Sequence, residues 1–176
     1  MIRKAARFSA KAHEGMMRKG TCIPYSFHPQ EAAVIVSGLT SDPEIISAAL
    51  LHDVIEDAGV TYEELEAEFG TRVADLVQAE SEDKSKTWKE RKQATIDRLT
   101  TAGLDVKMIC LGDKLSNLRS TAAEYLLKGE GVWLKFREKD KKEHEWYYRG
   151  VLDQLSEFRG ERAYEEAAWL IHELFG

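Results

Sequence analysis

Cysteine is scarce. Cys22 and Cys110 are the only two in 176 residues, too few for a disulfide framework, and they read as free thiols in a reducing compartment. Proline occurs only at positions 24, 29 and 43, where a loop can run or a helix can start. No apolar run approaches the roughly 18 residues of a membrane span, so no membrane partner is expected. The opening Met1-Ile2-Arg3-Lys4-Ala5-Ala6-Arg7 lacks the apolar centre of a secretory signal. Its basic residues mimic a transit peptide, but they run straight into a helical pattern, and the expected location is cytoplasmic. Positive charge is in deficit: 25 Lys and Arg face 31 Asp and Glu, a net charge of −6. That balance argues against a nucleic-acid partner. It leaves room for a small anionic substrate, because a metal and a local basic cluster override the net sign. Strand-like alternation is nearly absent, and there is no internal repeat, low-complexity stretch or linker.

What the chain does have is helical periodicity along most of its length. Apolar residues make up 43% and charged residues 32%, the balance of a globular domain. A chain of this length buries roughly 70% of its unfolded surface, enough for one core. The pattern predicts a first helix over about Ile2–Met17, a loop over 18–27, and a second helix from His28-Pro29 to near Gly38. A third opens at Ser41-Asp42-Pro43-Glu44 and runs through to Ile55, apolar almost all round and therefore central. Capping boxes at Thr61-x-x-Glu64 and Thr87-x-x-Glu90 open two more helices. Between them Thr71 starts another, followed by a polar loop over 80–86. A long helix spans about Asp105–Lys128, broken by Gly129 and Gly131. Two amphipathic helices joined near Gly160 complete residues 132–175. The expected class is all-α, a single-domain bundle of about eight helices over residues 1–176.

Four fragments suggest one site: His28, then His52-Asp53, then Glu56-Asp57, then Asp113 with Asn117 one turn on. On a continuous third helix, His52, Asp53, Glu56 and Asp57 share a broad face with Ile45, Ile46 and Ala49. Uncompensated charge there is costly, and a cation removes the cost. Asp113 interrupts the apolar stripe of the long helix, which is rare for a carboxylate without a partner or metal. His28, at a loop-to-helix junction, supplies the fourth ligand. Two imidazoles and two carboxylates suit Mn²⁺, Fe²⁺ or Zn²⁺; without thiolates this is no ordinary structural zinc site. Glu56 and Asp57, one turn beyond, are placed to handle protons. His13, on the apolar face of the first helix, reads as a core histidine, and His144 and His172 carry no motif. Lys84, Lys86, Lys89, Arg91 and Lys92 form a basic run suited to a solvated face or a phosphate-guiding rim.

In these strings the sequence resembles the HD superfamily of metal-dependent phosphohydrolases, and more narrowly the hydrolase domain of RelA/SpoT-type proteins and the small alarmone hydrolases. The matching strings are Ala12-His13-Glu14-Gly15, Arg18-Lys19-Gly20, Pro24-Tyr25-Ser26-Phe27-His28-Pro29, Ala48 through Asp57, Phe69-Gly70, and Asp113 through Arg119. They follow the family order across roughly residues 3–150. The resemblance implies an α-helical bundle with His28, His52, Asp53 and Asp113 on a metal, commonly Mn²⁺. It implies that Glu56 and Asp57 position or activate water, that Arg18 and Lys19 meet the nucleotide base, and that Asn117 lies near the ribose. The implied substrate is (p)ppGpp, cleaved to GDP or GTP and pyrophosphate. Three positions depart from the pattern: Gly112 where Ala is common, Ser116 where His or Tyr is common, and Cys110 where Lys is frequent. One extra residue separates Arg18 from His28. None of these is a ligand.

Two other functions are compatible with the same residues: an HD phosphohydrolase acting on another nucleotide, and a non-catalytic nucleotide-binding helical module. Trp133, Trp146, Tyr147 and Tyr148 suit either a packed C-terminal helix pair or a homo-oligomer contact.

Overall fold

Local capping chemistry sets several helix starts in the computed structural model, which describes residues 1–176. The α-helices are α1 (Ile2–Ala12), α2 (Phe27–Ser37), α3 (Pro43–Leu51), α4 (Val54–Ala58), α5 (Tyr62–Phe69), α6 (Thr71–Glu80), α7 (Trp88–Leu99), α8 (Leu104–Lys128), α9 (Lys141–Gln154) and α10 (Arg162–Phe175). Short 3-10 segments follow α8 (Gly129–Lys135) and α9 (Ser156–Phe158). The all-α expectation holds, with more and shorter helices than the periodicity suggested. Asp42 caps α3 by accepting the Glu44 N–H at 2.8 Å, with Pro43 in the first turn. Both predicted capping boxes close: Thr61 with Glu64 at α5, and Thr87 with Glu90 at α7. Each such cap stabilises its helix by about 1 kcal/mol.

Two predicted helices end early. The first stops at Ala12 instead of Met17, because Gly15 adopts φ +77°, a conformation that leaves the helix. Met17 instead pairs with Pro24 in an isolated antiparallel bridge. The third was expected to run unbroken through His52-Asp53, but the structure divides it into α3 and α4. The His52 Nδ1–H donates to the Ala49 carbonyl at 2.8 Å, the acceptor an unbroken helix would offer to the Asp53 N–H. Asp53 then takes φ −98°, ψ −5°, in the bridge region, and the helix restarts at Val54.

The chain divides into two compact units. The first comprises Met1–Glu82 with Gly103–Asp113, the second Asp83–Ala102 with Lys114–Gly176. In the first, α3 is the central element, as its all-round apolar surface predicted: Ile45 through Leu51 are all buried. It packs against α1, α2 and α6. Leu51, Val54, Leu65, Val73 and Ile109 are fully enclosed, each stabilising the unit by about 1.5–3 kcal/mol relative to exposure. On the rim, Arg72 of α6 pairs with Asp42 at 2.9 Å and Asp105 at 2.8 Å, tying the starts of α3 and α8 to α6. In the second unit α9 packs on α7 and α10. An aromatic cluster fills it. Trp133 stacks on Phe175 (5.4 Å between centroids), and the His144 ring lies 5.1 Å from Trp133 and 5.4 Å from Trp88. His144 is therefore a core residue, whereas His172 is exposed.

Candidate metal centre

Three stretches of the first unit converge on one point. The first turn of α2 presents His28, with Pro29 beside it where the missing N–H costs nothing. The end of α3 presents His52, the turn after it Asp53, and α8 presents Asp113. His28 and His52 are each 3% exposed and Asp113 7%. The two imidazole Nε2 atoms stand 3.2 Å apart. Asp113 Oδ1 lies 3.1 Å from His28 Nε2 and 3.7 Å from His52 Nε2. Asp53 Oδ2 lies 3.3 Å and 3.1 Å from the same two atoms. One donor atom each from His28, His52 and Asp113 falls within 4.8 Å of the others. All four predicted ligands thus meet.

The donor set fits a divalent cation. The His52 Nδ1–H bond to the Ala49 carbonyl directs its Nε2 lone pair into the cluster, the usual arrangement of a metal-binding histidine. Two nitrogens and two carboxylate oxygens, nearly closed to solvent, need positive charge among them. Burial alone would lower the His52 pKa, but Asp53 and Asp113 outweigh burial and raise it well above the ordinary imidazole value. Burial would raise the Asp53 pKa, but His52 and His28 hold it well below the usual carboxylate range.

The acid pair sits on α4, with Glu56 half-buried and Asp57 exposed. Asp57 is joined to the cluster by a residue to which the sequence reading assigned no role. The Tyr25 hydroxyl lies 2.7 Å from Asp53 Oδ2 and 3.0 Å from Asp57 Oδ2. Burial, with Asp53 and Asp57 adding, keeps this phenol protonated far above its ordinary range. No local signal marks Tyr25, since its partners lie 28 and 32 residues along the chain. The Tyr25 ring packs against His13 at 4.9 Å and His28 at 5.7 Å. His13 is buried, as expected of a core histidine, but only half satisfied. Its Nδ1–H donates to the Ser9 carbonyl at 2.9 Å, while its Nε2 has no hydrogen-bond partner.

The other predicted residues are less tightly gathered. Arg18 and Lys19 lie on the loop between α1 and α2, which is closed by a 2.8 Å bond from the Arg18 N–H to the Ile23 carbonyl. Asn117 stands one turn beyond Asp113 on α8, among the residues of the second unit. In the basic run, Lys89 pairs with Glu143 and lies 3.4 Å from the Trp146 ring centroid, and Lys92 lies 4.9 Å from that of Tyr147. Gly112, a departure noted in the sequence, has a structural reason. A Cβ there would meet Val36 Cγ2 at 2.7 Å and the Ala32 carbonyl oxygen at 2.8 Å, so glycine is what lets α2 approach α8 beside Asp113.

Comparison with known proteins points the same way. Residues 5–136 match the HD domain family HD_4. The chain is 40% identical over 124 residues to the guanosine-3′,5′-bis(diphosphate) 3′-pyrophosphohydrolase MESH1 of Danio rerio, covering 68% of each chain. It is 37% identical over 128 residues to the guanosine-3′,5′-bis(diphosphate) 3′-pyrophosphohydrolase of Vibrio cholerae, covering 69% of this chain and 18% of that much longer one. Among solved structures, a metazoan ortholog of SpoT that hydrolyzes ppGpp and plays a role in starvation responses superposes with a TM-score of 0.78 at 26% identity. That match covers 99% of this chain and 93% of the other.

Proposed function

Because the chain belongs to the HD domain family, we propose that it hydrolyses the 3′-pyrophosphate of (p)ppGpp, releasing GDP or GTP and pyrophosphate. The observation that carries this reading is the convergence of His28, His52, Asp53 and Asp113 with Asp57 attached through Tyr25. The activity named for the relatives selects the substrate. The four converging residues would hold the cation, and Mn²⁺ is the ion we assign; bound there it would polarise a phosphoryl oxygen and lower the pKa of a bound water. Water adds at the phosphorus joined to the 3′ oxygen, the bond to that oxygen breaks, and the nucleoside regains its 3′-hydroxyl. Glu56 or Asp57 takes the proton lost by the water and passes it on, by way of solvent, to the departing 3′ oxygen. Arg18 suits a base-stacking role because guanidinium is planar and weakly hydrated; Lys19 stands beside it, and Asn117 serves the ribose. The substrate is a small nucleotide, consistent with a cytoplasmic setting. No helix is long and apolar enough to cross a membrane. We treat residues 1–176 as one functional domain, a reading supported by a family match that draws on both compact units.

The test is incubation of the purified protein with ppGpp and Mn²⁺ beside a panel of other nucleotides, with the products resolved. Pyrophosphate and GDP from ppGpp are expected. Orthophosphate or tripolyphosphate from another nucleotide, with ppGpp untouched, would move the substrate elsewhere within the family. Asp53→Ala should abolish the metal-dependent reaction and leave the circular dichroism of the helices nearly unchanged. Full activity in that variant with manganese present would remove Asp53 from the mechanism.

A further inference from the structure

We propose that Tyr25 is a positioning residue whose hydroxyl brackets Asp53 and Asp57 and fixes the spacing between the cation site and the acid pair. The hydrogen bonds and ring contacts of this one residue carry the inference. The hydroxyl reaches both carboxylates, at 2.7 Å and 3.0 Å. The Tyr25 carbonyl accepts the His28 N–H at 2.9 Å, so the same residue touches the segment bearing a third member of the site. Its backbone is anchored in turn by a 2.8 Å bond from its N–H to the Met16 carbonyl. The ring packs on His13 and His28, which limits the directions in which the hydroxyl can point.

The bracket is needed because α4 is only five residues long and has no side-chain cap bond. A helix of one turn does not hold itself in water. Asp53 and Asp57 repel each other as like charges, and the one Tyr25 O–H, within reach of both carboxylates, donates to one or is shared unequally between them, offsetting part of that repulsion. Tyr25 does so from outside the helix. A phenylalanine would keep the packing and lose only these bonds.

The activity arm of the test rests on the proposed hydrolysis; the metal arm does not. Wild type and Tyr25→Phe are stripped of metal, melted, titrated with Mn²⁺ by calorimetry, and assayed on ppGpp. The variant should melt within about 3 °C of wild type, corresponding to a change of roughly 1 kcal/mol. Its Mn²⁺ affinity or kcat should fall about 10- to 100-fold, as for other residues that orient metal ligands, with KM changed much less. Asp57→Asn should cost less in the Tyr25→Phe background than in wild type, because the two share one interaction. Mn²⁺ affinity and kcat both within twofold of wild type would overturn the proposal. So would a fall in activity that tracks melting temperature while Mn²⁺ affinity and KM stay fixed. If wild type leaves ppGpp intact, the substrate assignment fails, and the Mn²⁺ comparison alone decides the role of Tyr25.

Discussion

Alanine at position 112 would bring a methyl group into the close approach of α2 and α8 beside the candidate metal centre. Its Cβ would meet Val36 Cγ2 at 2.7 Å and the Ala32 carbonyl oxygen at 2.8 Å, where ordinary contact begins at 3.4 Å. The valine methyl can rotate away, but a carbonyl inside a helix cannot. α2 must therefore withdraw from α8 by about 0.6 Å. Two effects on stability oppose each other. Alanine gains about 1 kcal/mol over glycine in a helix interior, and overpacking a filled contact costs about 1–3 kcal/mol. The net expectation is a loss of about 1 kcal/mol, or roughly 2–4 °C in melting temperature for a chain of this size. The effect on metal should be larger. His28 rides on α2 and Asp113 follows position 112, so the withdrawal acts on their 3.1 Å separation. Metal–ligand distances tolerate only about 0.2 Å, and Mn²⁺ affinity should fall about tenfold or more. Thermal melts of the metal-stripped protein and calorimetric Mn²⁺ titration measure both quantities. A Gly112→Ala protein that melts higher than wild type and binds Mn²⁺ within twofold of it would refute the reasoning.

Acid should weaken the second unit through His144. Burial holds its pKa below the ordinary imidazole value, so below about pH 6.5 the unfolded chain binds the proton that the folded one refuses. His52, whose pKa is raised, works in the opposite direction over the same window, so the measurement is the difference: between pH 7.5 and 5.5 the wild-type urea midpoint should fall relative to that of His144→Gln. Arg119 holds Glu166 through two bonds of 2.6 and 2.7 Å. Arg119→Lys loses the fork and should cost about 0.5–1 kcal/mol, given how exposed the pair is, readable in chemical denaturation. Mn²⁺ at 100 times its dissociation constant should stabilise the folded chain by about 2.7 kcal/mol, seen as a rise in melting temperature that EDTA reverses and Asp113→Ala lacks.

Features written in adjacent residues were legible before any coordinates. The Thr61/Glu64 and Thr87/Glu90 boxes and the Asp42 cap each need only three or four residues, and all three form. His52, Asp53 and Asp113 stood out as polar groups interrupting apolar faces and His28 as a histidine at a helix start, and the structure brings the four together. Tyr25 was not, since its role exists only after segments 28 and 32 residues distant arrive. The break at His52-Asp53 was hidden for another reason: a side chain takes over a backbone acceptor, and periodicity carries no trace of that exchange. The division into two compact units falls between Asp113 and Lys114, inside α8. No change of composition marks a boundary in the middle of a continuous helix.

The five residues of α4 have a consequence for when the protein becomes competent. A segment that short has no helical preference worth the name once excised, so Glu56 and Asp57 take their places only after the surrounding first unit has closed. Hydrogen exchange at the α4 amides should then open at lower free energy than in α3, whose residues Ile45 to Leu51 are all enclosed. On the roles proposed for Glu56 and Asp57, activity should therefore decline on warming before the amides of α3 exchange.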